Sequence, residues 1–419
     1  MHQKTVLNNG LRIISDTMPH TRSVCIGVFI GAGSRYERAE QAGVSHFIEH
    51  LCFKGTQRRA TAKEISEAIE GVGGMLNGGT DKELTVYWCK VARPHFLLTV
   101  DVLADMLSHS RFDLEDIEKE RQVIIEEINM SLDSPQHRVD LLIDELMWPN
   151  QPLGRDTAGN KTTVASLTRQ DMLDYLAHQY LADNMVVSVA GDIDHQEVVA
   201  SLEEAFGSWQ RGSPHKWYPA DNKQYQPCFQ VEQRDTEQAH LCLGLPGLSL
   251  SHPDRFILDL LNIILGEGMS SRLFLEIREK RGLAYAIHSY ADHFLDTGSL
   301  TVYAGVDPKH LPTAIKAILE ELNRLKEKTP EIELTKAKEL GKGRLLLRME
   351  DTRSVAGWLG GQELLLGDIL SVDQVVSIID SIQADDLVRV AQELLVGEKL
   401  NLAVVGPLEE EHLEGLLQL

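Results

Sequence analysis

The sequence predicts an α+β protein made of two homologous domains from an internal duplication, each a largely antiparallel sheet packed with helices. Two echoes at one offset carry the duplication. "NMVVSVAGDID" and "KLNLAVVGPLE" set Gly191 and Gly406 215 residues apart, and "VARPHFLLTVDVLADML" and "VDPKHLPTAIKAILEEL" set Val91 and Val306 at the same separation. A shared offset in separate places marks a repeated domain. Each copy mixes strand-like runs, "LTVYWCKV" and "SLTVYAGV", with long helical runs, "PHFLLTVDVLADMLSHS" and "KHLPTAIKAILEELNRL", which argues for helices on a sheet. A chain of 419 residues also exceeds one ordinary core.

The seam belongs in "GSWQRGSPHKWYPADNKQYQP", which is polar, proline-containing and without periodicity. The expected organisation is a first domain over 1–212, a linker over 213–227 and a second domain over 228–419. "VCIGVFIGAGS" has a looser partner in "HLCLGLPGLSL". "GWLGGQELLLG" is dotted with glycine, but it lacks the lysine and the strand–turn–helix setting of a phosphate loop.

With 43% hydrophobic and 25% charged residues the composition is that of a soluble globular protein. A net charge of -22 argues against a nucleic-acid partner, whose phosphates it would repel, and favours basic peptides, although acidic surfaces also serve solubility alone. The opening "MHQKTVLNNGLRIISDTMPH" shows no secretory h-region or cleavage site, and no apolar run approaches a membrane span. Five cysteines, odd in number and without a C-x-x-C pair, read as reduced core thiols. The expected location is cytoplasmic, with no membrane partner.

"GVSHFIEHLCFKGT" raises the question of chemistry. His46, Glu49 and His50 span an arc of about 100° on a helix, opposite Val44, Phe47, Ile48, Leu51 and Cys52. Such a front either faces water or faces a metal. Histidines at i and i+4 can reach one zinc ion, with the glutamate between them as general base. A chance H-x-x-E-H would occur in roughly one such chain in twenty, so a third ligand must be found. It is sought in "EDIEKERQVIIEEINMSLDSP". With Glu120 at 0° on a helical wheel, Glu127 falls about 20° away. Ile117, Val123, Ile124 and Ile128 crowd the same side, and Glu126 points away. Both Glu120 and Glu127 therefore fall in the arc expected to be buried, where a carboxylate needs a cation or a hydrogen-bond partner. Otherwise they lie at the edge of the apolar stripe and reach water; the histidine helix favours the first.

These motifs resemble the pitrilysin, insulin-degrading enzyme and mitochondrial processing peptidase family of inverted zinc peptidases, in its short two-domain bacterial form. The resemblance covers essentially the whole chain. It implies one zinc ion per chain on His46, His50 and Glu127, the last following His50 with 76 residues between them. It implies Glu49 as general base and Glu120 as a supporting glutamate bonded behind the ligands. "GGMLNGGTDKELTVYW" resembles the family's edge strand that pairs with bound peptide, with Asn77 and Gly78 at the binding positions. The family usually has Asn-Ala there, and glycine makes a looser strand. Read without the family, the segment is an ordinary hairpin.

"SSRLFLEIREKRGLAYAIHSY" resembles the family's Arg/Tyr segment, which implies that Arg278 binds peptide backbone and Tyr285 supports the tetrahedral intermediate. Without the family, Arg278 is a surface helix charge and Tyr285 a half-buried strand residue. The implied activity is zinc-dependent hydrolysis of short or unfolded peptides. In family members of this length the zinc half of one chain faces the Arg/Tyr half of another, so a homodimer with composite sites is expected. The rival expectations are a non-catalytic family member acting as assembly subunit or peptide scaffold, and an obligate partner of another subunit.

Overall fold

The computed structural model describes residues 2–409, 415–417 and 419. Among these residues, two sheets are present. The first holds β1 (Gln3–Val6), β2 (Arg12–Thr17), β3 (Ser23–Ile30), β4 (Met75–Thr80), β5 (Thr85–Ala92) and β6 (Met185–Gly191), in the spatial order β1-β2-β6-β3-β5-β4. The second holds β7 (Cys228–Gln233), β8 (Ala239–Pro246), β9 (Ala284–His293), β10 (Gly298–Val306) and β11 (Asn401–Gly406), in the order β7-β11-β8-β10-β9. Apart from the extra edge strand β1, the second order repeats the first. In each sheet one pair is parallel, β2 with β6 and β7 with β11, and the other pairs are antiparallel.

The α+β fold and its repeat are therefore as the sequence predicts. "MVVSVAG" and "NLAVVG", which revealed the offset, are β6 and β11, and every residue of both is buried. Continuous apolar strands of this kind are covered on both faces. The second echo supplies the helices Phe96–His109 and Leu311–Leu325.

The two compact units are not contiguous in sequence. One comprises the chain up to Ile128 with Asp156–Tyr218 and Leu346–Leu370; the other comprises Asn129–Arg155, Pro219–Leu345 and the chain from Ser371 onward. The reason is a reciprocal loan of helices. Helix Thr352–Leu366 packs on the first sheet, where Val355, Ala356 and Leu359 bury themselves against Cys25, Phe29, Trp88 and Val186. Helix Pro135–Met147 packs on the second, with Val139, Leu142 and Ile143 against Cys242, Tyr303, Ala403 and Val405. Each fully buried aliphatic side chain contributes about 1.5–3 kcal/mol, ample to hold a helix on a sheet that another part of the chain built.

The two helices are themselves repeats, since Arg138 and Arg353 also lie 215 residues apart. Gly360, one of the glycines of "GWLGGQELLLG", allows the close approach: a Cβ there would lie 2.3 Å from the Phe29 ring. Residues 209–227, around the expected linker, take neither helical nor strand form. No helix among the described residues is long and apolar enough to cross a membrane.

Candidate metal centre

The histidine stretch folds as the helix Val44–Cys52, with Val44, Phe47, Ile48, Leu51 and Cys52 buried as the wheel predicts. Its start is tightly built. Gly43 sits at φ 95°, a left-handed conformation that glycine adopts without strain. The buried carboxylate of Glu37 accepts the N–H groups of Gly43 and Ser45, both at 2.8 Å, satisfying donors that a helix start leaves free.

His46 and His50 turn toward each other on the less buried side, Nε2 to Nε2 at 3.3 Å. Glu127, on the helix Leu114–Asp133, brings Oε2 to 3.5 Å from His50 Nε2 and 3.9 Å from His46 Nε2. These three residues form the group of metal-binding donors found among the described residues, their ligand atoms all within 4.8 Å of one another. Donors bound about 2.0–2.1 Å from one tetrahedral ion stand roughly 3.3–3.4 Å apart. The observed spacing fits a small divalent cation with little movement.

The protonation states favour the same arrangement. Burial, helped by the neighbouring His50, pushes the His46 imidazolium down to about 4, so the ring is neutral with a lone pair to give. His50 Nδ1 lies 3.1 Å from Glu120 Oε2, and a carboxylate there places the proton on Nδ1 and leaves Nε2 bare. Lys54 Nζ holds the other oxygen of Glu120 at 2.7 Å. His46 Nδ1 is buried without a hydrogen-bond partner among the described residues, so only one of the two histidines is oriented from behind.

The helical wheel is right for Glu120 and Glu126, puts Glu127 deeper than it lies, and puts Val123 on the wrong side. Glu120 is buried, Glu126 is exposed, and Glu127 sits at the rim with its side chain 45% exposed. Val123, expected inside, is exposed. The buried arc is centred about 60° round from Glu120, because Arg121 is also inside. Its guanidinium donates to the Val164 and Leu167 carbonyls and lies over the Phe47 ring at 5.4 Å. Satisfied in that way, an arginine can shift the buried face of a helix, which hydrophobic periodicity does not register.

Glu49 faces the edge strand β4. Its Oε2 accepts a 2.5 Å hydrogen bond from Thr80 Oγ1. Burial raises the Glu49 carboxyl above the usual carboxylate range, and the Thr80 bond works against that rise. Gly78 lies on the same face of β4: a Cβ there would stand 3.1 Å from Glu49 Cγ and 3.1 Å from the Phe53 ring. Gly78 N–H donates to Asn77 Oδ1 at 2.8 Å, so it faces the open edge of the sheet and not β5. Thr80 and Lys54 escaped the sequence reading. Thr80 repeats Gly78 at strand period, and Lys54 follows His50 by one helical turn, so both signals were present.

Arg278 and Tyr285 come together in the other compact unit. Arg278 lies in a π-helical turn, Phe274–Lys280, and its guanidinium stacks 4.8 Å from the Phe274 ring and 5.1 Å from the Tyr285 ring. Tyr285 is on β9, the edge strand of the second sheet, and is 75% exposed, not half-buried. A π turn re-aims a side chain by widening the helix, and such turns concentrate at functional sites.

A duplicated α+β chain with H-x-x-E-H on a helix and a glutamate on a second helix defines a class, the inverted metallopeptidases. The chain belongs to peptidase family M16. The pattern described as Insulinase (Peptidase family M16) matches residues 12–161, and that described as Peptidase M16 inactive domain matches residues 166–340. An uncharacterized zinc protease of Bacillus subtilis (strain 168) is 38% identical over 408 residues, spanning 97% of this chain and 98% of the relative. One from Streptomyces coelicolor is 38% identical over 416 residues, spanning 98% and 90%. The crystal structure of a protease from Helicobacter pylori superposes with a TM-score of 0.91 at 25% identity, covering 97% of this chain and 99% of that one.

Proposed function

We propose that this protein is a zinc-dependent endopeptidase or oligopeptidase acting on short or unfolded peptides, with basic ones favoured by its charge. The observation that carries the reading is the convergence of His46 Nε2, His50 Nε2 and Glu127 Oε2 beside a half-buried Glu49. A zinc ion on those donors would supply Lewis-acid polarisation of the scissile carbonyl and acidification of the attacking water. Glu49 accepts that water's proton and returns it to the leaving amine. The exposed edge of β4, with Asn77 and Gly78, receives the peptide as an added strand. Arg278 holds substrate backbone and Tyr285 donates a hydrogen bond to the developing oxyanion.

The protein works as a homodimer in the cytoplasm. Both motif sets in one chain support the first reading, and five free cysteines support the second.

The test pairs wild type with Glu49→Gln on a mixed library of unstructured peptides, with metal content and native mass read on the same samples. Cleavage that a chelator stops, and that the variant loses while keeping its zinc, upholds the reading. Two zinc-loaded, inactive dimers would replace it with a peptide-binding scaffold.

A further inference from the structure

β4 has two faces. Gly78 looks toward Glu49, and Gly79, the next residue, looks the other way, where an added Cβ would meet nothing within 4 Å. On that second face lies a cavity of about 390 Å³, lined among others by Gly79, Val86, Trp88, Arg348 and Arg353. Its floor is the side of the sheet on which helix Thr352–Leu366 packs. The bare backbone of Gly79 leaves it open toward the strand edge.

The charge in this cavity opposes that of the protein as a whole. Asp351, its one lining acid, is already engaged by the Lys90 ammonium and by Ser354 N–H at 3.0 Å. Arg348 and Arg353 have no ion-pair partner among the described residues. The Arg353 guanidinium lies over Trp88, 3.8 Å from the ring centroid, a contact that restrains the side chain and leaves its N–H groups without an ion-pair partner among the described residues. A guanidinium held in this way is suited to bidentate binding of a carboxylate. Two arginines without an ion-pair partner among the described residues, in a chain of net charge -22, make a local exception.

A peptide added as a strand beside β4 alternates its side chains between the two faces, and neighbours across strands share a face. The residues set opposite Gly78 and Thr80 then project over Glu49, and the residue opposite Gly79 projects over the cavity. We propose that this cavity is a specificity subsite for one acidic side chain, aspartate or glutamate, of a bound peptide. The inference rests on the peptidase reading above. It narrows the substrate class to peptides, otherwise basic or neutral, that carry a carboxylate at one defined position near the cleaved bond.

The test uses the full-length, zinc-loaded protein and a neutral peptide in which each position near the cleaved bond is set in turn to Glu, Gln, Lys or Leu. Cleavage is followed as kcat/KM, and affinity for the same peptides is read by fluorescence anisotropy on Glu49→Gln. The expected result is one position at which Glu outperforms Lys by about tenfold or more. Arg353→Glu reverses that order, and Arg353→Met, which keeps the cover on Trp88, levels it. No position favouring Glu, or a preference that Arg353→Glu leaves in place, overturns the subsite. Failure to cleave any peptide counts against the peptidase reading instead, and the anisotropy contrast still decides the subsite.

Discussion

Thr80 Oγ1 donates a 2.5 Å hydrogen bond to Glu49 Oε2, tying the proposed general base to the strand proposed to receive the peptide. A peptide that adds to β4 presses on the element that orients Glu49. Thr80→Val removes the bond while keeping the shape. The expected outcome is a kcat lowered about tenfold with KM and zinc content unchanged, checked by steady-state kinetics and metal analysis.

The start of the histidine helix depends on Gly43. At φ 95° an alanine is strained, and its Cβ would lie 2.5 Å from the Ala158 carbonyl oxygen. Gly43→Ala should cost about 1–3 kcal/mol and reduce zinc retention, because His46 is three residues on. Gly361→Ala is the control, since a Cβ there meets nothing within 4 Å inside a helix. It should stabilise by about 0.5–1 kcal/mol. Denaturant unfolding and metal content separate the two.

His293 should make stability depend on pH. Its Nδ1 faces the Leu248 carbonyl at 2.7 Å and its Nε2 faces Asp259 Oδ1 at 3.1 Å, so both ring nitrogens have acceptors. Burial works against the imidazolium, but Asp259 and the carbonyl outweigh it and raise its pKa above the ordinary value. A raised folded-state pKa stabilises fully below the unfolded value and is lost as pH rises through the folded one. The Tm advantage of wild type over Asp259→Asn should be roughly a degree or two below the ordinary histidine pKa of about 6.5 and shrink as pH rises through the raised one. Thermal unfolding across that range measures it.

The thiols should be inert. Cys25, Cys52, Cys89 and Cys242 are buried, and burial pushes the first three up to about 12. Cys228 alone is half-buried. A thiol reagent at pH 8 should modify about one cysteine in the native protein and all five after unfolding. A reductant should leave Tm unchanged.

Much of the candidate site was legible because its signals are local. His46, Glu49 and His50 are related by one helical turn, and Glu120 and Glu127 by two. Val123 was misplaced for a physical reason: Arg121 buries its charge by hydrogen-bonding carbonyls, so the inward face of the helix turned away from the apolar centroid. Tyr285 was placed half-inside because an edge strand and a central strand share the same alternation.

By itself the sequence determined the duplication, the α+β class and the donor types. Repeat offset, strand and helix periods and i, i+4 spacing are properties of the chain over a few turns. Only the tertiary structure decided which helix covers which sheet: Thr352–Leu366 and Pro135–Met147 each serve the sheet of the other repeat. It also decided that Thr80 meets Glu49, that Lys54 meets Glu120, and that Arg353 lies on Trp88. An amphipathic helix specifies the face it buries but not the surface it buries it against. Contacts between distant segments follow from that choice of partner, which shape and packing make in three dimensions.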